Sequence, residues 1–311
     1  MLPRFKADYR ALVWALLLFP LVPLASYLQP QLWLWLLPLQ LYLAYCSGVL
    51  AHNQVHVAMF ENRHVNAWYS AWISLFYGCP IDCWLPTHVV NHHRFANTHR
   101  DMTRTHRLSS EHNLWQALRY TLACGGWQLP VVLEYAQRTR HKGGRRWSEL
   151  RLQGLVLLFG QAGFLSLALW QHGPKLGTLL YAGAFLLPAL LAPSFMFFTS
   201  YMQHVDCNAA SPDDHSRNFV SPFTNWFVFQ AGYHTVHHEH PTAHWSQYPA
   251  LHRARAARIH PSLNVPSLGW FCVENYLLQP FGARFGTRPL ASEGKGGLGG
   301  RGDRALALAK E

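Results

Sequence analysis

The chain reads as an all-α integral membrane protein, and three observations predict that class. Residues 11–28, 32–50, 152–170 and 176–201 are apolar stretches. Each approaches the roughly 20 residues a helix needs to cross a hydrocarbon core. Only 13% of the 311 residues are charged, against roughly 25% in ordinary globular domains. Strand-like alternation of polar and apolar residues is scarce throughout.

The first span follows a short basic N-terminal segment, and the second follows a turn of only about three residues, 29–31. Pro20, Pro23, Pro38, Pro188 and Pro193 fall inside the spans, where membrane helices tolerate them as kinks. Any single span would also suit a buried core helix; four together do not. Two weaker stretches, near 68–80 and 115–135, read as interfacial or re-entrant helices. Residues 138–147 (RTRHKGGRRW) form a basic linker ahead of the third span. From Thr287 the chain turns Gly-rich and charged, which predicts a disordered tail over 287–311. The expected organisation is one membrane domain over 1–286, with a helical cap formed by 51–151 and 202–286.

Charge sets the predicted orientation. The turn at 29–31 carries no Lys or Arg, and the turn between spans three and four carries only Lys175. The remaining basic residues lie in the N-terminal segment, the middle region and the segment after span four. The positive-inside rule therefore places both termini and the middle region on the cytoplasmic side of the inner, cytoplasmic membrane. The net charge of +11 is then largely topological, and it also suits anionic lipid headgroups. No nucleic-acid-binding module accompanies the charge, so nucleic acid is not an expected partner. Six cysteines in spans or on a reducing side argue against disulfides. Cys79 and Cys83 form one CxxxC without the second pair that a zinc site requires.

Three histidine clusters carry the chemistry: His52/His56, His88/His92/His93 and His234/His237/His238. Imidazole is the commonest protein metal ligand, and rings packed this densely repel once protonated. Spacings of i, i+3 and i+4 put rings on one helix face, while an adjacent ring turns about a quarter-revolution away. Doubled histidines in two clusters therefore suit two neighbouring ions. Eight rings are too many for one tetrahedral zinc. Hydropathy and charge alone gather all three clusters on the predicted cytoplasmic side.

These boxes and spans resemble the membrane fatty acid desaturase and hydroxylase superfamily, over about residues 40–260. The resemblance implies a non-haem di-iron centre, O2 as co-substrate, and a fatty acid or acyl chain in a lipid environment. It also implies a further ligand after the last span, here His204, giving nine: His52, His56, His88, His92, His93, His204, His234, His237 and His238. Asp206 would orient a ligand ring or stand as a solvated acid, and His240 would hydrogen-bond near the ligands. His244 has the same reading as His240. The remaining histidines outside these spacings read as surface or capping residues, and His215 as part of a solvated turn. No haem or dinucleotide motif is present, so electrons would come from an external donor such as ferredoxin and its reductase, acidic donors suiting a basic face.

The reaction expected is O2-dependent oxidation of an unactivated C–H bond, of desaturase type. Three residues separate His88 from the His92/His93 pair, as in membrane alkane hydroxylases, so fatty acid or alkane hydroxylation stays open. Residues 232–249 resemble bacterial branches related to terminal-alkene-forming fatty acid decarboxylases, which keeps oxidative decarboxylation open too. A membrane zinc hydrolase would need an acid after the first histidine, and Asn53 stands there. A metal transporter would place ligands near the midplane rather than beyond span ends.

Overall fold

The structure, a computed structural model, describes residues 2–282 and 285–290 and is mainly helical. The chain divides into two compact units. The first comprises the chain up to Cys83 with Leu133–Met196; the second comprises Trp84–Val132 and the chain from Phe197 onward.

In the first unit, α1 (Asp8–Leu28) and α2 (Pro30–His56) form a helical hairpin across a one-residue break at Gln29. α1 widens into a π-helical turn at Trp14–Leu18, directly before Pro20, which has no N–H to give to an earlier carbonyl. The next helix, α3 (Arg63–Tyr77), starts where the Asn62 side chain accepts the N–H groups of His64 and Val65. It ends at Gly78, φ 73°. A Cβ there would sit 2.4 Å from the Ala189 carbonyl oxygen, so only glycine serves.

Residues 114–142 form α4 (Leu114–Lys142), which runs from the second unit into the first. Gly144–His204 is a third helical stretch long and apolar enough to cross a membrane. It contains α5 (Gly144–Tyr181), a π-helical turn ahead of Pro188, and α6 (Leu187–His204). The sequence suggests two spans here, and one stretch is found because the reversal takes a single residue, Gly173, at φ 70° and ψ 179°. Beyond it Gly177 lies so close to the preceding arm that a Cβ would stand 2.4 Å from the Ala168 carbonyl oxygen. His172 Nε2 lies 2.6 Å from the Tyr27 carbonyl oxygen and caps the end of α1, tying both hairpin turns together.

The core of this unit is aromatic. Phe164 and Phe185 stack at 3.9 Å, and Phe76 meets both edge-on. Leucines 16, 17, 21, 158 and 190 stay exposed on the apolar helices, the pattern of a lipid-facing surface. Trp35 and Trp170 are also exposed, near the hairpin turns, where amphipathic rings favour a membrane–water boundary.

The second unit packs around Tyr120, Tyr201, Met202, Phe219, Phe271 and Tyr276. Its one strand pairing among the described residues is a two-residue parallel contact, Asn218–Phe219 against Asn264–Val265. Composition assigns 287–311 to a tail, yet Thr287 and Leu290 make hydrogen bonds to Asn275 and Asp206. Residues 291–311 lie outside the described residues.

The hairpin at Gly173 yields a prediction. Gly177→Ala must push backbone from backbone and should cost about 1–3 kcal/mol. Gly163→Ala, with nothing within 4 Å, should be neutral or stabilising by up to about 1 kcal/mol. Thermal unfolding of the two purified variants in the same detergent checks the contrast.

Candidate metal centre

All three clusters sit where a helix ends or widens. His52 and His56 close α2 in the first unit, one turn apart, with ring centroids 4.8 Å apart. In the second unit, Leu85–His92 is π-helical and runs into His93–Phe95. Its wider turn sets His88 and His92 in near-parallel stacking and brings His88 Nε2 to 3.0 Å from His93 Nε2. α7 (His234–Glu239) carries the last cluster.

Four rings of the second unit, His92, His204, His234 and His238, offer ligand nitrogens that all lie within 4.8 Å of one another. Their second nitrogens explain which atoms face inward. His92 Nδ1 donates to Asp101 Oδ2 at 2.7 Å, and His204 Nδ1 donates to the His215 carbonyl at 3.1 Å. Both acceptors fix the proton on Nδ1 and leave Nε2 as a lone pair. His204 Nε2 then lies 2.9 Å from His234 Nε2, which lies 3.1 Å from His238 Nε2. One N–H can satisfy only one of those two contacts. His92 Nε2 is buried and has no hydrogen-bond partner. Converging lone pairs in a buried site repel unless a cation lies among them, so this donor set fits a metal ion.

A second group in the same unit, His88, His93 and His237, also has its ligand nitrogens within 4.8 Å of one another. His237 Nδ1 is 3.0 Å from the buried Tyr248 hydroxyl, which leaves its Nε2 for a metal.

Burial favours the neutral form of His204 and His238. The His238 imidazole is held well below the ordinary histidine value of 6.5, first by burial and then by His93, His234, His92 and His204. Burial acts to raise the Asp101 carboxyl, but His92 and the hydrogen bonds from Asn97 and Thr103 outweigh it and hold the group down as an anion. Asp101 accepts from the Asn97 N–H at 2.8 Å, the Thr103 N–H at 2.8 Å and the Thr103 hydroxyl at 2.7 Å, besides His92.

Two left-handed residues, Ala96 and Asn97, fold this loop back beneath the ring it supports. Asn97 also donates to the His204 carbonyl at 3.1 Å. Asp101 and Tyr248 were not singled out by the sequence reading. The only signal for Asp101 is an acid nine residues after a ligand-like histidine, and for Tyr248 there is none, since the fold alone brings it to His237.

Asp206 takes a different role from either one read in the sequence. Its carboxylate is bonded to His112 at 3.0 Å and Thr287 at 2.5 Å, not to a clustered imidazole, and it is not solvated. His240 contacts Glu239 at 3.8 Å and is half-exposed. His215 is not in a solvated turn: it is fully buried, its ring 5.4 Å from that of His238. His112 is likewise buried rather than at the surface. His260 does cap a short helical turn, and His244 caps another.

Two predictions follow from these contacts. Asp101→Asn should weaken metal retention about 10–100-fold, the usual range for a lost ligand-orienting carboxylate, with iron and zinc per chain read by mass spectrometry. Because the folded His238 lies below 6.5, the unfolded chain binds more protons as pH falls past that value. Stability should then hold above pH 6.5 and decline below it, with bound metal released over the same window. Unfolding and metal content across pH 5–8 check it.

Comparison with protein families matches residues 28–266 to the model described as fatty acid desaturase, a span that contains all nine histidines. No curated protein and no solved structure gives a match. Membership implies oxidation of fatty acyl chains by a histidine-box oxidoreductase in a lipid environment. The three long apolar helices are those of an integral membrane protein. With the matched region covering most of the chain, this protein belongs to the fatty acid desaturase family.

Proposed function

We propose that the protein is a di-iron, O2-dependent enzyme that oxidises an unactivated C–H bond of a fatty acyl chain, in a reaction of desaturase type. The observation that carries this reading is the buried set of imidazoles whose Nδ1 protons are pinned outward and whose Nε2 lone pairs converge. His92, His204, His234 and His238 would hold one iron. His88, His93 and His237 would hold the other, and the family resemblance keeps His52 and His56 at the end of α2 as ligand candidates. Two irons with nitrogen ligands supply the redox capacity to activate O2 and remove hydrogen from an acyl carbon.

The chain's own contribution is placement and insulation. Asp101 keeps the His92 proton on Nδ1 and fixes the ring plane. The His215 carbonyl does the same for His204, and the Tyr248 hydroxyl holds the His237 ring at its Nδ1. Burial keeps His204 and His238 unprotonated and excludes competing water from the donors. The reversal at Gly173 supports four membrane crossings, and the positive-inside rule would put both termini and the histidine clusters on the cytoplasmic side. The basic residues there suit an acidic electron donor such as a ferredoxin.

Purified protein loaded with iron, given O2, a ferredoxin reducing system and fatty acids of several lengths, should yield an oxidised acyl product. About two irons per chain and an internal alkene are the expected results. A hydroxyacid, or a terminal alkene one carbon shorter, would reassign the reaction. Zinc-only protein without O2-dependent turnover would overturn the reading. His92→Ala should lower turnover by 10²-fold or more, since a ligand is removed rather than reoriented.

A further inference from the structure

The aromatic core of the second unit contains a hydrogen-bonded row that the chemistry above does not use. Tyr276 is buried among Phe198, Phe271 and Tyr201, and its hydroxyl lies 3.2 Å from His112 Nε2. The other nitrogen of that ring, Nδ1, lies 3.0 Å from Asp206 Oδ2 and 2.6 Å from Thr287 Oγ1, while the Thr287 hydroxyl donates to the same carboxylate oxygen. With both neighbours acting as acceptors, the ring proton sits on Nδ1. Nε2 is then the lone pair that receives the Tyr276 O–H.

Such a row has a direction. Burial, and then Tyr201 and Cys272, hold the Tyr276 phenol well above its ordinary value of 10.0, so the hydroxyl keeps its proton while the ring is reduced. Removing an electron from a phenol ring turns its hydroxyl into a strong acid. Here the released proton has a base one hydrogen bond away, and a carboxylate beyond that base balances the imidazolium charge. The neighbouring tyrosines lack this arrangement. Tyr120 donates to the Thr103 carbonyl and Tyr201 to the Glu111 carbonyl, and a carbonyl cannot carry off a proton at neutral pH. The Cys124 thiol beside Tyr120 is kept neutral by its burial. Tyr248 does meet a histidine, His237, but that ring belongs to the metal group.

The rings also form a contact path. Centroids of Tyr120 and Tyr201 are 5.0 Å apart, those of Tyr201 and His112 5.7 Å, and those of His112 and Tyr276 5.5 Å. The path starts beside the metal group, because Thr103, which holds the Tyr120 hydroxyl, also bonds to Asp101. We propose that Tyr276 is a redox site: a one-electron oxidant acting through Tyr201 takes an electron from its ring, its hydroxyl proton passes to His112 Nε2, and a neutral tyrosyl radical remains until an electron and that proton return. The oxidant gains the electron, the O–H bond of Tyr276 breaks as an N–H bond of His112 forms, and no heavy-atom bond changes. The site is a sink for stray oxidising equivalents. That use rests on the oxidative chemistry proposed above; the site itself does not, and its test needs neither iron nor turnover.

The test uses full-length protein in detergent, loaded with redox-silent zinc and labelled with nitrogen-15 histidine. A ruthenium tris-bipyridyl complex and persulfate generate the oxidant in a light flash, and samples are frozen at intervals for high-field electron paramagnetic resonance. The expected result is a tyrosyl signal that outlives those of exposed tyrosines and is coupled to one imidazole nitrogen. Tyr276→Phe should abolish that signal, and Tyr248→Phe should leave it. His112→Gln removes the base and should shorten the signal's lifetime about tenfold or more, the scale of one charge-assisted hydrogen bond.

No long-lived tyrosyl signal, a signal without imidazole coupling, or one removed by Tyr248→Phe and kept in Tyr276→Phe overturns the proposal. Should Tyr276→Phe or His112→Gln not fold, the imidazole coupling in the unaltered protein and its survival in Tyr248→Phe still decide it.

Discussion

Mutual repulsion among buried imidazoles is the constraint around which the second unit is arranged. His204 and His238 each bring a ring nitrogen to about 3 Å of His234 Nε2, and a single N–H cannot relieve both contacts, whereas a shared cation can. The fold meets this by treating the two nitrogens of a ring differently. On the outward side an acceptor holds the proton: a carboxylate for His92 and a backbone carbonyl for His204. The inward side is thereby left as a lone pair. Tautomer control of this kind is imposed by packing, and it needs a rigid frame.

That frame is supplied differently in the two units. The first is built from long apolar helices whose close approaches depend on residues without side chains, Gly78 against Ala189 and Gly177 against Ala168. Where no hydrophobic drive separates helix from lipid, such backbone contact is what associates helices. The second unit relies on side-chain hydrogen bonds in short segments, with Asn225 serving Phe219 and Gly232, and Asn218 serving Thr235. The loop of residues 96–105 belongs to the same style.

Much of this was legible in residue order, because its causes are local. Hydropathy marks the helices, and spacings of three and four mark rings that share a face. His204 stands out in the sequence only through resemblance to a family, and its ring offers a nitrogen within 4.8 Å of those of His92, His234 and His238. What escaped was non-local. Asp101 lies nine positions from the ring it orients, and Tyr248 eleven from His237, and no periodicity links either pair. Asp206 looked well placed by proximity to His204 along the chain. A left-handed backbone at that residue, φ 61°, turns it instead toward His112. The two arms of Gly144–His204 look like two spans, and their junction is one glycine rather than a loop.

Asn97 ties the loop to the end of α6 by donating to the His204 carbonyl, while the same residue's N–H serves Asp101. Surface connections ordinarily accept inserted or deleted residues. This one does not have that freedom. A single added residue between Phe95 and Thr105 would shift the register of three donors on one carboxylate and detach the loop from the neighbouring helix. Homologous chains should therefore keep the spacing from His92 to Asp101 fixed in length even where they replace the residues between.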